Sequence, residues 1–133
     1  MLEAFTRPCK VLVIDDSQTV RHCAERFLRE AGHEVLLAED GYQALALLHD
    51  FKPDLVFCDI LMPRLDGYQT CAIIRRNPRF AHVPVLMLSS KDSVFDLARG
   101  RLAGAHDHLG KPFDRKQLLQ AVQQHAALLP SAA

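Results

Sequence analysis

Residues 9–17 read C-K-V-L-V-I-D-D-S, an apolar run that ends in two adjacent acids and a hydroxyl. Directly after it the apolar spacing lengthens. Val20, Ala24, Phe27, Leu28 and Ala31 share one helical face, and Gly32 supplies a stop. A short apolar run handing over to helical spacing reads as a strand followed by a helix, with Asp15, Asp16 and Ser17 in the turn between them.

The rest of the chain repeats that unit. Further apolar runs stand at 34–38 (EVLLA), 55–58 (LVFC) and 85–88 (VLML), with a weaker one near 107–110. Asp40 caps a second expected helix with Ala44, Leu45, Leu48 and Phe51 inward, and Pro53 closes the following turn. A third helix is expected from about Asp66 to Arg76, ended by Asn77 and Pro78, and a fourth from about Val94 to Ala103 with Gly100 inside it. The last opens on the capping pair Asp114 and Gln117 and buries Leu118, Val122, Ala126 and Leu129 before Pro130. Five strands alternating with five helices predict an α/β chain with a doubly wound parallel sheet, because parallel strands need crossover helices. Ligands of such sheets sit at the carboxyl ends of the strands.

Bulk properties agree with one domain. The 133 residues carry 16 Lys and Arg against 16 Asp and Glu, so the formal net charge is zero. That balance lacks the electrostatic pull of a dedicated nucleic-acid binder. Cys9, Cys23, Cys58 and Cys71 show no C-x-x-C spacing and read as small hydrophobes in a reducing compartment. No leader-like apolar segment and no stretch near the ~20 apolar residues of a membrane span is present, so no membrane insertion and a cytoplasmic location are expected. The expected organisation is an N-terminal extension (1–8), a single domain (9–129) and a short tail (130–133).

Chemistry gathers at the predicted strand ends. Asp15 and Asp16 follow the first run, Asp59 the third, Ser89 and Ser90 the fourth, and Lys111-Pro112-Phe113 the fifth. Three crowded carboxylates repel unless a cation joins them, and Mg²⁺ favours oxygen ligands and a phosphate. Asp16 and Asp59 are then direct ligands and Asp15 a direct or water-mediated one, with one backbone carbonyl beyond Asp59. A carboxylate can attack phosphorus, and Lys111 can neutralise the transferring group while Ser89 donates to it. Taken singly, each residue has an ordinary reading. Asp-Asp-Ser is also a helix cap, Asp59 a turn acid and Ser89 a turn cap. Their joint placement on one edge argues for a site.

These motifs resemble the receiver domains of two-component response regulators, from about Lys10 to Leu129. V-L-V-I-D-D-S is similar to the family's acidic pair, D-I-L-M-P-R-L-D-G-Y to its phosphorylation loop, L-S-S-K-D to its switch hydroxyl segment, and G-K-P-F to its lysine. The resemblance implies a flavodoxin-like (βα)5 sheet of order 2-1-3-4-5. It implies Asp59 as phospho-acceptor and the Leu61 backbone carbonyl as a metal ligand. It also implies Ser89 as switch, a cis Pro112 after Lys111, and a histidine kinase as phosphodonor. Two segments, M-P-R-L-D-G-Y-Q-T-C-A and V-L-M-L-S-S-K-D-S-V-F-D, further resemble regulators of type IV pilus twitching motility and chemotaxis.

One position departs from the family. Three residues before the lysine the family carries Tyr or Phe; here stands His108, smaller and able to take a proton near neutral pH. A partner-docking face is implied around Phe95, Arg99 and Arg101. With nothing after Pro130 but Ser-Ala-Ala, the output is expected to be binding to a separate protein, and catalysis limited to the chain's own phosphorylation and dephosphorylation. Two other readings compete. A haloacid-dehalogenase-type phosphatase needs D-x-D after the first strand, which is absent. A flavodoxin-like nucleotide or flavin binder cradles phosphate where Asp15 and Asp16 would repel it.

Overall fold

The computed structural model describes residues 7–126. Strands β1 (Lys10–Ile14), β2 (Glu34–Ala38), β3 (Leu55–Asp59), β4 (Val85–Ser89) and β5 (Asp107–Gly110) alternate with five helices. These are α1 (Gln18–Glu30), α2 (Gly41–Phe51), α3 (Gly67–Arg76), α4 (Leu97–Ala103) and α5 (Arg115–Ala126). Every strand pair is parallel, and the order is β2-β1-β3-β4-β5, as the resemblance implied. Strand order reverses between β1 and β3, so their carboxyl ends flank a crevice.

The apolar runs lack alternation because both faces of the sheet are covered. Leu12, Ile14, Val56, Cys58 and Met87 point to one face, where Ala44 and Leu48 of α2 and Cys71 and Ile74 of α3 meet them. Val11, Val13, Phe57, Leu86 and Leu88 point to the other, against Ala24 and Leu28 of α1 and Leu118 and Val122 of α5. Period-two side chains thus fill two cores from one sheet.

Polar caps fix where each helix starts. Ser17 accepts from the Val20 amide at 3.3 Å. Asp40 accepts from Gln43 at 2.7 Å, and Asp66 forms a reciprocal capping box with Gln69. The expected Asp114–Gln117 pair is present, with bonds of 2.7 and 2.9 Å. Gly67 opens α3 with its amide donating to the Ile60 carbonyl at 2.8 Å. A Cβ at Gly67 would lie 2.1 Å from the Asp59 carbonyl oxygen and 2.6 Å from Met87 Cε, so the loop after β3 closes only on a residue without a side chain.

Some expectations shift. Cys9 is buried but precedes β1, its amide bonding the His33 ring rather than a strand. Ala31 is the exposed cap of α1, not part of its inner face. Helix α4 begins at Leu97 instead of about Val94, because Asp96 caps it by accepting from the Arg99 amide at 3.1 Å. Val94 and Phe95 therefore belong to the preceding loop. The expected burial of the Ala126 side chain and of Leu129 lies outside the described residues.

Candidate functional site

Four elements deliver the polar residues to the crevice. Asp15 follows β1 and is fully buried; its amide donates to the Ala38 carbonyl at 3.0 Å, and its Oδ1 accepts from the Ser17 amide at 2.9 Å. Arg21 of α1 reaches back and donates to the Asp15 carbonyl at 2.7 Å. Asp59 is the last residue of β3 and is 2% exposed, while Asp16 is open to solvent. From beyond β5, the Lys111 ammonium bridges Asp15 Oδ2 at 3.0 Å and Asp59 Oδ1 at 2.9 Å. Asp15, Asp16 and Asp59 each offer a carboxylate oxygen within 4.8 Å of the others. Above them lies an open cleft of about 330 Å³ lined by Asp16, Asp59, Leu61, Met62, Ser90 and Lys111, among others.

The electrostatics follow from burial. Burial pushes the Asp59 carboxyl up to about 6, and the neighbouring Asp15 charge adds to this, against the stabilising bond and charge of Lys111. Burial alone would lower Lys111, but its bonds to Asp59 and Asp15 outweigh that and hold its pKa above the ordinary value. Two buried carboxylates thus share one ammonium, with the exposed Asp16 carboxylate beside them. An all-oxygen donor set with unbalanced negative charge fits a hard divalent cation such as Mg²⁺. The order Asp15, Asp16, Asp59, Lys111 was visible in the sequence, and the fold brings all four together.

The other expected residues are distributed around this cluster. Leu61 forms part of the cleft wall with its side chain 60% exposed. Ser89 ends β4, largely buried, and its carbonyl accepts from the Lys111 amide. Its hydroxyl is not among the bonds that join the acid cluster, whereas its neighbour Ser90 lines the cleft and bonds Ser93. The Lys111-Pro112 bond is cis, as expected.

His108 lies on the surface side of β5, half exposed, its ring stacked on Phe95 at 4.5 Å between centroids and 9° between planes. Phe95 in turn covers Gly100, where a Cβ would come within 2.4 Å of its ring. Arg99 is exposed, yet it lies over the Tyr68 ring at 4.3 Å and reaches Asp66 at 3.4 Å. Arg101 is exposed on the same short helix, beside exposed Leu97 and Leu102.

Tyr68 was not singled out from the sequence. It is buried on α3, and its hydroxyl accepts from the Asp96 amide at 2.8 Å, tying the start of α3 to the start of α4. Arg21 was also missed; its only local signal is a place one turn into α1, where a long cation can reach back to the acidic loop.

A parallel 2-1-3-4-5 sheet with paired acids, a third acid and a lysine at its carboxyl edge defines the response-regulator class of α/β domain. The response regulator receiver domain family matches residues 11–123, and the chain belongs to that family of two-component signalling proteins. It is 53% identical over 116 residues to protein PilG of Pseudomonas aeruginosa, covering 87% of this chain and 86% of PilG. It is 36% identical over 113 residues to protein PilH of the same organism, covering 85% and 93% respectively. Among solved structures it resembles the chemotaxis response regulator CheY4 of Vibrio cholerae, with a TM-score of 0.83 and 33% identity over 90% of this chain and 99% of that one. No helix among the described residues is long and apolar enough to cross a membrane.

Proposed function

We propose that the protein is a phosphorylation switch in which Asp59 accepts a phosphoryl group from a histidine kinase and a separate partner protein reads the result. The observation that carries this reading is the Lys111 ammonium bridging Asp15 and Asp59, with Asp16 completing a set of three carboxylates. The receiver domain occupies residues 9–129, flanked by 1–8 and 130–133.

An Asp59 carboxylate oxygen attacks the phosphorus of the donor; the new P–O bond forms as the P–N bond to the donor histidine breaks. Lys111 sits where it neutralises charge on the transferring group, and Asp15 holds Lys111 in place. Asp15, Asp16, Asp59 and the Leu61 carbonyl would hold Mg²⁺, which when bound supplies charge neutralisation among the acids and phosphoryl oxygens. Catalysis is confined to gain and loss of this one phosphoryl group.

The product is read through Ser89, His108 and Pro112. In this structure the His108 ring is held outward on Phe95, so a change at Ser89 reaches the face of Phe95, Arg99 and Arg101 by releasing or moving that stack. The similarity to PilG and PilH, most of whose lengths the chain matches, supports a role in type IV pilus twitching or a chemotaxis-like pathway in the cytoplasm.

The experiment is incubation with acetyl phosphate, with and without Mg²⁺, followed by intact mass. A single alkali-labile phosphate that requires Mg²⁺ and disappears in Asp59→Asn is the expected result. An adduct that persists in Asp59→Asn, or none under any condition, overturns the reading. For the pathway, the Asp59→Asn allele is expected to alter surface twitching in the host, and unchanged motility removes the pilus assignment.

A further inference from the structure

The amino end of the sheet, away from the acid site, carries a cavity of about 650 Å³, within the ~300–1,000 Å³ of small-molecule sites. It is built from the end of α2 and the loops entering β3 and β4. Pro53, Phe80 and Val83 supply buried apolar surface, and the cations Lys52 and Arg79 with the imidazoles of His49 and His82 form the exposed rim. A second groove of about 340 Å³ runs on between α2 and α3, sharing His49, Arg79 and Phe80 and adding Leu45 and Ile73.

Three observations make this more than a patch of solvated charge. First, no acid occurs between Asp66 and Asp92, so the whole α3–β4 side of the cavity is basic or neutral. Second, the one lining carboxylate is already engaged, since Asp54 Oδ2 accepts from the Lys10 amide at 2.9 Å. Third, the loop bearing Arg79 and Phe80 is set before any ligand arrives. Its turns close through Phe80 to Asn77 and Val83 to Phe80 bonds of 2.9 and 3.0 Å. Behind it the Arg75 guanidinium bonds the Ala81 and Val83 carbonyls and, at 2.8 Å, His106. Arg75 is spent holding the loop, which leaves Arg79 to face the cavity, where its guanidinium bonds His49 Nδ1 at 2.9 Å. An arginine can only donate, so His49 accepts on Nδ1 and keeps Nε2 for a ligand.

We infer that this cavity binds a small organic anion, with a phosphate or carboxylate head held by Arg79, Lys52 and His82 and an apolar ring seated on Phe80, Pro53 and Val83. A guanidinium fork beside an ammonium suits either head group, and charge-assisted bonds supply the orientation. The site lies at the opposite end of the strands from Asp59 and is independent of phosphoryl transfer there.

The test is a metal-free ¹⁵N–¹H NMR titration of the whole chain with phenyl phosphate, benzoate and inorganic phosphate. The inference expects saturable shifts at the amides of 49–54 and 79–83 with phenyl phosphate, benzoate or both, the stronger one naming the head group. Inorganic phosphate is expected to bind about tenfold more weakly for want of an apolar body. Arg79→Glu and Lys52→Asn, the latter keeping a residue tolerant of the left-handed backbone at φ 52°, are each expected to weaken binding about tenfold. Both are expected to leave acetyl phosphate labelling of Asp59 unchanged, so failure here leaves the switch reading standing. Shifts centred on Lys111, equal binding by Arg79→Glu, or no saturation by any of the three anions overturn the inference. A response to poly-glutamate alone also overturns it and makes this face a protein-docking surface.

Discussion

At the carboxyl end of the sheet the Lys111 ammonium lies among Asp15, Asp16 and Asp59; at the amino end Asp54 is the one carboxylate lining a cavity that Lys52, Arg79, His49 and His82 also line. A formal charge of zero conceals this separation. The two ends also differ in burial. Asp15 and Asp59 are 0% and 2% exposed, whereas the rim at the amino end is open to water. Charges in a low-dielectric crevice interact several times more strongly than exposed ones, which solvent and salt screen. Equal formal charges therefore carry unequal energetic weight.

The largest effect is expected from breaking the acid end. Lys111→Ala leaves two buried carboxylates without their counter-ion and should lower stability by about 3 kcal/mol in metal-free buffer. Urea unfolding in the presence of a chelator measures it; an unchanged midpoint would mean the three groups are not coupled. Asp59→Asn should act in the opposite direction. Its carboxyl is raised from 3.8 to about 6 in the folded state, so ionised Asp59 opposes folding at pH 8 by roughly 3 kcal/mol. The folded state takes up its proton before the unfolded chain does. The advantage of Asn over Asp should therefore shrink as pH falls through about 6, and a constant advantage from pH 8 to pH 5 contradicts this account.

His33 separates burial from position, being a buried group at the amino end. Burial lowers its pKa from 6.5, and its Nδ1 accepts from the Cys9 amide at 3.1 Å, a bond that a protonated ring cannot accept. The unfolded chain takes up the proton first. Stability from the neutral ring is thus present above pH 6.5 and lost as pH falls from there through the lower folded value. His33→Gln should flatten the decline of the urea midpoint between pH 7.5 and 5. The smallest effect belongs to Arg79→Ala, which removes an exposed cation that pairs with no carboxylate among the described residues and should change stability by no more than about 0.5 kcal/mol. A loss of several times that size would place Arg79 with the buried charges.

The sequence exposed one end of the molecule better than the other. Asp15, Asp16, Asp59 and Lys111 could be placed together because each follows an apolar run, and parallel connections bring all strand ends to one edge. No comparable rule joins Tyr68 to Asp96, or Phe95 to His108. Those contacts link residues 28 and 13 positions apart through loops whose course depends on the finished packing. The late start of α4 has the same origin. Val94 and Phe95 continue the helical spacing, but the Asp96 cap and the Tyr68 hydroxyl claim the backbone first. The amino-end cavity was illegible because most of its wall comes from two loops, and loops carry no period.

Gly67 has no side chain and so bears no chemistry of its own, yet the missing carbon at that position sets how closely the loop after β3 can fold back on Asp59. In a saturation mutagenesis screen scored on signalling, all nineteen replacements at Gly67 should register as null alleles, alongside those of Asp59. A map drawn from such a screen would colour Gly67 as part of the reactive centre, although its share in the chemistry is purely negative space.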